Sequence, residues 1–292
     1  MSYKTLLLLG GSGFLGSKLL GAFPSDKVIA PGHKQLDITQ IKKVYAFIET
    51  IQPAVILYAA GITSIDFAEA NEERTYLLNY RIPEKISKFA ARNNIRFVSI
   101  STDAVFDEYM NKDQFSETDT PKARTVYGLS KLAGEEAVLG NSSQNCVLRL
   151  ITLFGTGHPK PNFVALILEK LKKKEKFSGV IDQIRNPLYV AIAAEAITFA
   201  VKQQLHGIYH LGALDADTNY NFLVKVAKRF MLDSSLIEKI TYNDFMKDKR
   251  GYRKKNSVLV CNKFVQVSNN SILRTIEDSI ELLYRHTNQQ FS

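Results

Sequence analysis

Tyr127 and Lys131 lie in the segment TVYGLSKLAGEE and are separated by three residues. If this segment is helical, both side chains lie on one face, because residues i and i+4 are neighbours on a helix. A free phenol has a pKa of about 10 and is a poor proton shuttle at neutral pH. A neighbouring ammonium group favours the phenolate and lowers that pKa. The pair is therefore either a proton-transfer device or two polar residues on the solvated side of a helix.

Two hydroxyl side chains lie at the end of a predicted strand upstream of this pair. The strand-like segment RFVSIST ends in Ser101 and Thr102. Open α/β sheets bind ligands at the carboxyl ends of their strands. A hydroxyl group at that edge can donate a hydrogen bond to a carbonyl oxygen and align it. The sequence therefore offers a third partner, Thr102, for the tyrosine and the lysine.

Gly10, Gly13 and Gly16 form G-x-x-G-x-x-G between the apolar run TLLLLG and the helical spacing of GSKLLGAF. Glycines allow a tight turn, close approach of a pyrophosphate and close packing of helix on strand. The backbone N–H groups at the start of the following helix, including those of Phe14 and Leu15, would face the phosphates. An ordinary glycine turn is the alternative, but the position between a strand and a helix favours dinucleotide binding.

The end of the second predicted strand favours one dinucleotide over the other. NAD sites usually place Asp or Glu there to bind the ribose diol, and the segment KVIAPGHK has no carboxylate after Ala30. His33 and Lys34 can meet a 2′-phosphate instead. We therefore predict NADPH as the preferred cofactor, with NADH as the alternative.

A bound oxidised nicotinamide would place a second positive charge beside Tyr127. Lowering the phenol pKa by roughly 3 units requires about 4 kcal/mol of differential interaction, which two close cations can provide. In the reductive direction Tyr127 would donate its proton to a carbonyl oxygen as hydride arrives at the carbon. In this mechanism Lys131 lowers the phenol pKa and holds the nicotinamide ribose, and Thr102 orients the carbonyl.

Apolar strands alternate with helical segments through the first half of the chain, which predicts an α/β fold with a doubly wound parallel sheet of the Rossmann type. A long helical stretch is predicted from about Asp66 to Asn93. Beyond Leu153 the pattern is less regular, with a strand-like GVIDQ and a final helix near SILRTIEDSIELLYRH. We predict an NAD(P)-binding domain over 1–153. A smaller substrate-binding lobe over 154–292 would be interleaved with the last elements of the sheet.

Composition excludes several classes of function. The 292 residues are 45% hydrophobic and 23% charged, which is typical of a globular protein. The apolar run Leu6–Leu9 is too short to span a bilayer, so we expect a cytoplasmic protein without membrane contact. The net charge of +9 suits a phosphate-bearing substrate, and no nucleic-acid-binding motif accompanies it. Cys146 and Cys261 lie in apolar segments and are expected to be buried free thiols.

No metal site is predicted. The five histidines do not pair with cysteines or carboxylates at ligand spacing. His206 and His210 bracket a predicted strand, where residues i and i+4 lie far apart. The final helix is expected to pack on the body of the protein, although a contact in a homodimer is also open.

These motifs together resemble the extended short-chain dehydrogenase/reductases, and most closely the dTDP-4-dehydrorhamnose reductase family. The resemblance lies in GGSGFLGSKL, LDIT, YAAGITSIDFAE, STDAVFD and SETDTPKARTVYGLSKLAGEEAV, and more weakly in LRLITLFG, NFV and DQIRNPLYV. It implies reduction of the 4-keto group of a deoxysugar nucleotide, most specifically dTDP-4-dehydro-L-rhamnose, by NADPH or NADH. Thr102, Tyr127 and Lys131 match the catalytic positions.

The resemblance also implies binding residues. Asp37 and Ile38 would flank the adenine, and Ala59, Ala60 and Gly61 would line the cofactor. On the nucleotide-sugar side it implies Thr63, Ile65, Asn162, Gln183 and Arg253.

Two related activities stay open as alternatives. Sugar-nucleotide dehydratases carry T-D-E, whereas this chain has Thr102-Asp103-Ala104, which favours reduction over a dehydratase or an epimerase. Two segments depart from the reductase pattern: LRLITLFG lacks an aromatic residue that the reductases often have after LR, and GYRKKNS stands where they usually have Arg-Pro.

The regulatory beta subunit of methionine adenosyltransferase is similar in sequence, binds NADP and keeps Y-x-x-x-K. A regulatory subunit is therefore the alternative to an enzyme.

Overall fold

The six strands of the main sheet run parallel to one another, as the computed structural model of residues 5–107 and 112–288 shows. The strands of the described residues are β1 (Leu6–Leu9), β2 (Val28–Ile29), β3 (Val55–Tyr58), β4 (Arg96–Thr102), β5 (Gln114–Phe115), β6 (Cys146–Leu150), β7 (Leu153–Phe154), β8 (Phe177–Val180), β9 (Ile184–Arg185), β10 (Leu188–Tyr189), β11 (Gly207–Leu211), β12 (Asp217–Thr218), β13 (Ile237–Ile240) and β14 (Val258–Leu259). The order in the main sheet is β11-β6-β4-β3-β1-β2. This confirms the predicted α/β fold with a parallel sheet.

Helices cover both faces of this sheet. They are α1 (Phe14–Ala22), α2 (Ile41–Ile51), α3 (Ile65–Ala70), α4 (Glu72–Tyr76), α5 (Ile82–Arg92), α6 (Val126–Asn141), α7 (Phe163–Lys172), α8 (Val190–Lys202), α9 (Asn219–Arg229), α10 (Tyr242–Met246), α11 (Asn262–Val267) and α12 (Ile276–Asn288). All four residues of β1 are buried because alternate side chains enter cores on opposite faces. Leu6 and Leu8 belong to one core, and Leu7 and Leu9 to the other.

The chain returns to the sheet after residue 154. Helix α8 packs against α1, and β11 then pairs with β6 in the register Gly207 to Cys146. Short strand pairs form the remainder: β7 with β10, β9 with β12, β8 with β13 and β5 with β14. The division at residues 153 and 154 stays a prediction.

Two helices differ from the sequence-based expectation. The long stretch from Asp66 is interrupted at Asn71, whose φ of −140° leaves the helical region, and again by a π-helical turn over Leu77–Arg81. The final helix begins at Ile276 and not near residue 271. Its start is fixed by Thr275, whose hydroxyl accepts a hydrogen bond from the Asp278 N–H at 3.2 Å.

The expectations about membrane-spanning segments and about the two cysteines can be compared with the described residues. None of the helices in these residues is long and apolar enough to cross a membrane. Cys146 and Cys261 are buried free thiols as predicted, and burial raises the pKa of each thiol to about 12.

Candidate active site

The three glycines of the motif after β1 have different roles, two in the loop and one in α1. Gly10 has a φ of +101°, and a Cβ there would overlap the backbone of Ala59 and Ala60 at the end of β3. A Cβ on Gly16 would overlap the carbonyl oxygen of Gly10, so this glycine permits close packing of α1 on the loop. A Cβ on Gly13 would meet only the Gly10 oxygen, at 3.4 Å. The chain itself therefore does not require glycine at position 13, and the space there is open to a ligand.

The loop after β2 contains the residues predicted to select the cofactor. His33 and Lys34 are both exposed there, as contact with a ligand phosphate requires. The Asp37 carboxylate accepts hydrogen bonds from the N–H and hydroxyl of Thr39, at 2.9 and 2.8 Å, which lower the pKa of that carboxyl group. Ile38 is buried in one of the two cores. Asp37 thus stabilises the turn before α2, and its contact with adenine stays a prediction.

Helix α6 is positioned by close backbone contacts with two neighbours. Thr125 caps its first turn, and its hydroxyl accepts from the Gly128 N–H at 3.0 Å. A Cβ on Gly128 would overlap the Ala104 carbonyl oxygen, and one on Gly134 would overlap that of Asn79. Both glycines are therefore explained by neighbouring elements that approach the helix closely.

The structure brings together Tyr127, Lys131 and Thr102 where β4 ends. The Thr102 side chain is near enough to Tyr127 to influence the pKa of the phenol, and its hydroxyl accepts a hydrogen bond from the Ala104 N–H at 3.2 Å. The Lys131 Nζ donates to the carbonyl oxygen of Ile100 at 3.0 Å. All three side chains are buried, with 6 to 9% of their surface exposed. A phenol, a hydroxyl and an ammonium group therefore meet at the edge where parallel sheets bind ligands.

Burial dominates the ionisation of this site. It raises the pKa of Tyr127 well above its ordinary value, Thr102 opposes this rise, and Asp103 and Asp107 raise the pKa further. Burial also lowers the pKa of Lys131 to about 8. The Lys131 ammonium group is directed at Ile100, and its effect on the Tyr127 pKa beside a bound nicotinamide stays a prediction. At neutral pH Tyr127 is a neutral phenol, which is the form that can donate a proton.

Asp103 and Asp107 are two carboxyl groups whose electrostatic coupling the sequence does not predict. Asp103 accepts a hydrogen bond from Arg185 of β9 at 2.9 Å. Asp107 is buried and accepts one from the Thr125 hydroxyl at 3.1 Å. Burial, and then the charge of Asp103, raise the pKa of Asp107 to about 7. Asp107 lies in the quoted motif STDAVFD, but only its burial distinguishes it from a surface aspartate.

Asn79 is a second residue that sequence reasoning missed. It lies in the π-helical turn, and its amide exchanges hydrogen bonds with the N–H and C=O of Ile62, at 2.9 and 3.1 Å. It also donates to Ser130 of α6 at 3.1 Å. Gly61 has a φ of +148°, and a Cβ there would lie 2.5 Å from the Asn79 oxygen. Asn79 therefore fixes the loop after β3 against the helix that carries Tyr127 and Lys131.

Three of the five predicted nucleotide-sugar residues lie where the late basic segment meets the start of α3. Arg253 forms a two-point ion pair with Asp66 of α3, and Gly251 packs so closely on Ile65 that a Cβ there would overlap its side chain. Thr63 is exposed two residues before Ile65. These residues form one surface at the start of α3.

The other two predicted nucleotide-sugar residues have structural contacts of their own. Gln183 is buried and donates to the Lys254 carbonyl oxygen at 3.3 Å, next to Arg253. Asn162 caps α7 by accepting from the Val164 N–H at 3.0 Å, and it donates to the Gly155 carbonyl oxygen at 2.8 Å. Substrate contacts of both residues stay predictions.

Within residues 5–107 and 112–288 no group of three or more histidine, cysteine or acidic side chains is arranged to hold a metal ion. His210 is fully buried between Arg149 and the carbonyl oxygen of Phe115, at 3.4 and 3.1 Å. Burial and the charge of Arg149 lower its pKa to about 3. It is a neutral residue of the interior.

A family model described as the RmlD substrate binding domain matches residues 4–287. The chain belongs to this family. The predicted relationship to dTDP-4-dehydrorhamnose reductases is also confirmed by a relative of that name from Aggregatibacter actinomycetemcomitans. It is 33% identical over 255 residues, which are 82% of this chain and 85% of the relative.

This chain is also similar to a protein with a different name. The methionine adenosyltransferase 2 subunit beta of Xenopus tropicalis is 28% identical over 254 residues, which cover 82% of this chain and 75% of that protein. A protein named as a subunit therefore also matches most of this chain, which is relevant to the alternative of a regulatory subunit.

Solved structures agree with the fold. The dTDP-4-dehydrorhamnose reductase of Clostridium acetobutylicum superimposes with a TM-score of 0.88 at 25% identity, covering 98% of this chain and 99% of that one. The reductase of Bacillus anthracis, solved in complex with NADP, gives a TM-score of 0.88 at 24% identity, covering 97% and 99%. This RmlD-family chain thus has the fold of those proteins over nearly its whole length.

The residues of this RmlD-family chain fit a dinucleotide. Gly13 leaves space at the start of α1, where backbone N–H groups favour phosphate. Ala59 and Ala60 line the other side of the loop at the end of β3. A Cβ on Gly61 would lie 3.5 Å from the Nζ of Lys131, so the Gly61 backbone is close to the ammonium group. A ligand that extends from the glycine loop along these residues would reach Lys131.

Proposed function

We propose that this chain is an NADPH-dependent reductase of the 4-keto group of a deoxysugar nucleotide, most specifically dTDP-4-dehydro-L-rhamnose. The observation that carries the proposal is the burial of Tyr127 and Thr102 together at the end of β4, with Lys131 on the next turn of the same helix. The names of the Aggregatibacter and Clostridium relatives support the substrate class. The NADP bound to the Bacillus anthracis reductase supports the cofactor.

In the proposed reaction Tyr127 donates its proton to the oxygen of the substrate carbonyl. The neutral phenol carries this proton at neutral pH, because burial raises its pKa. Thr102 lies beside the phenol at the end of β4, and its hydroxyl can donate its one proton to the substrate oxygen in a hydrogen bond. Lys131 places a cation one helical turn away, which stabilises the phenolate as it forms. NADPH, when bound, supplies the hydride to the carbonyl carbon.

The cofactor would be bound by Gly10, Gly13, Gly16 and the N–H groups of Phe14 and Leu15. His33 and Lys34 would meet the 2′-phosphate, and the remaining cofactor contacts would come from Asp37, Ile38, Ala59, Ala60, Gly61, Tyr127 and Lys131. Thr63, Ile65 and Arg253, which form one surface, would bind the nucleotide sugar, with Asn162 and Gln183 as further candidates. A cytoplasmic location and a homodimer stay predictions.

Reduction is favoured over dehydration or epimerisation by the residues around Thr102. Ala104 stands where the dehydratases have Glu, and it is buried against Gly128. The neighbouring Asp103 is paired with Arg185. The acid/base pair that eliminates water is therefore incomplete at these positions.

The direct experiment is a screen of 4-keto-sugar nucleotides in which consumption of NADPH is followed by absorbance. We expect turnover with at least one of them and a loss of at least about a hundredfold in kcat for Tyr127→Phe, with NADPH binding preserved. Tyr45→Phe is the matched control and should keep full activity, because Tyr45 is half-buried between α2 and α5, and its hydroxyl donates only to the Lys85 carbonyl oxygen. Near-normal turnover by Tyr127→Phe would rule out the mechanism.

The alternative is an NADP-binding regulatory subunit, which the similarity to the Xenopus beta subunit supports. It predicts co-purification with a methionine adenosyltransferase and no NADPH turnover on any keto-sugar nucleotide. The same screen, combined with an affinity purification, therefore separates the two functions.

A further inference from the structure

Three residues on successive turns of α6 are paired with residues at the end of β4. Tyr127 lies near Thr102, Lys131 is hydrogen-bonded to Ile100, and Glu135 is hydrogen-bonded to Ser101. In the third pair the Ser101 hydroxyl donates to a carboxylate oxygen of Glu135, and both side chains are buried. The third pair has no part in the proposed reaction, although it lies one turn beyond Lys131.

Glu135 is held from its other side by Arg149 of β6. The Arg149 Nε lies 3.0 and 3.1 Å from the two carboxylate oxygens, and one terminal nitrogen lies 2.6 Å from the second oxygen. Arg149 is 2% exposed and is paired in register with Ser101, its neighbour on β4. Four hydrogen bonds, one from Ser101 of β4 and three from Arg149 of β6, therefore fix the buried carboxylate of Glu135 on α6.

The charge of Glu135 acts on Lys131. Burial lowers the pKa of the Lys131 ammonium group, and the negative charge of Glu135 raises it in opposition. Among residues 5–107 and 112–288, Arg149 is the charged side chain hydrogen-bonded to Glu135, and behind it His210 on β11 is neutral. The contact of Lys131 with β4 is a carbonyl oxygen, which carries no net charge.

We propose that Glu135 is a positioning residue for the reduction, which sets the register of α6 on β4 through Ser101 and Arg149 and keeps Lys131 in its charged form beside the cofactor. This inference rests on the proposed function for its role in catalysis. Its geometric part rests only on the contacts of Glu135. Removal of the Ser101 hydroxyl should disturb the register, and removal of the Glu135 charge should disturb the ionisation of Lys131.

The register is tested with Ser101→Ala, which keeps the ion pair between Glu135 and Arg149. Ser87→Ala is the matched control, because Ser87 is also buried and accepts a hydrogen bond at 2.8 Å from Asn141, the last residue of α6. We expect Ser101→Ala to lower kcat by about tenfold, the loss typical of one hydrogen bond to a charged group. Ser87→Ala should stay within about twofold of the wild type, since it alters the far end of the helix.

The charge is tested with Glu135→Gln, which keeps the shape of the side chain. Without the negative charge the pKa of Lys131 should fall further below its ordinary value, so the alkaline limb of the pH–rate profile should move to lower pH. Ser101→Ala should leave that limb in place, because it keeps the charge. Circular dichroism and thermal unfolding of each variant identify any loss of folding.

NADPH binding provides a readout that does not depend on the substrate. The dissociation constant for NADPH is measured by fluorescence from neutral to alkaline pH. As the pH increases, this constant should begin to rise at a lower pH in Glu135→Gln than in the wild type. If no keto-sugar nucleotide is reduced but this shift is seen, the proposed function fails and the role of Glu135 towards Lys131 stands. If a folded Glu135→Gln shows wild-type pH dependence in binding, or Ser101→Ala matches Ser87→Ala in kcat, the positioning role is wrong. Where Glu135→Gln does not fold, the comparison of the two serine variants decides.

Discussion

The guanidinium group of Arg253 donates two hydrogen bonds to the carboxylate of Asp66, at 3.2 and 2.8 Å. These residues are 187 positions apart in the chain. The pair lowers the pKa of Asp66 to about 2, because Arg253 donates to the charged form. It joins the late basic segment to the start of α3, next to Ile65. The surface proposed to bind the nucleotide sugar is therefore assembled from both halves of the sequence.

Arg253→Ala should raise the KM for the sugar nucleotide by about tenfold or more, because an anionic diphosphate would lose a charged hydrogen-bond donor. The KM for NADPH should stay within about twofold. Asp66→Asn keeps the guanidinium group and should have a smaller effect on both constants. Steady-state kinetics with each substrate varied in turn give the four values. Equal rises in the two KM values for Arg253→Ala would place this residue outside the substrate site.

Gly13→Ala and Gly16→Ala should separate ligand binding from folding. The space around Gly13 accepts a Cβ, so Gly13→Ala should fold normally but weaken NADPH binding by about tenfold through contact with the pyrophosphate. Gly16→Ala would force a Cβ onto the Gly10 oxygen and should lower the free energy of unfolding by about 1–3 kcal/mol. Urea unfolding and fluorescence titration measure the two effects. Unchanged NADPH affinity in Gly13→Ala would show that the pyrophosphate lies elsewhere.

Lys34→Glu should weaken the binding of NADPH by more than about tenfold and that of NADH by much less. Lys34 is exposed after β2, where a 2′-phosphate would lie, and the substitution replaces attraction with repulsion. Lys42→Glu changes the same charge on the exposed side of α2 and serves as the control. Fluorescence titrations with both cofactors give the ratio of affinities. Losses of equal size for NADPH and NADH would overturn the assignment of Lys34.

The parts of the fold and site that could be predicted from the sequence depend on local spacing. Gly10, Gly13 and Gly16 identify the first strand, turn and helix, because each glycine acts within one short loop. Tyr127 and Lys131 share a face because they are one helical turn apart, whichever residues surround them. The parallel sheet follows from apolar strands that alternate with helices.

Other features depend on which residues meet in three dimensions. Asn79 fixes the loop after β3 only because a π-helical turn directs its amide at Ile62. Spacing places Lys131 beside Tyr127, but it does not show that the ammonium group contacts Ile100 or that burial controls both pKa values. The raised pKa of Asp107 likewise comes mainly from burial, and the sequence does not indicate which aspartate is buried.

Asp107 should make the stability of the protein depend on pH between about pH 4 and pH 7. Burial and Asp103 raise its pKa from 3.8 to about 7 in the folded chain, so the folded protein binds a proton that the unfolded chain has released. The stabilisation is complete below the unfolded pKa and is lost as the pH rises through the folded pKa. The loss is at most about 4 kcal/mol, given 1.36 kcal/mol for each unit of pKa.

Asp107→Asn should remove this dependence, since the amide cannot ionise and its oxygen can still accept from Thr125. Urea unfolding of the wild type at about pH 5 and about pH 8 should give a lower stability at the higher pH, and the difference should shrink in the variant. Asp119→Asn is the control, because donors from Lys112 and Ser116 lower the pKa of Asp119. The stabilisation by Asp119 is lost only as the pH falls through that lowered pKa, so its removal should act equally at both pH values. A wild-type difference that persists in Asp107→Asn would assign the titration to another group.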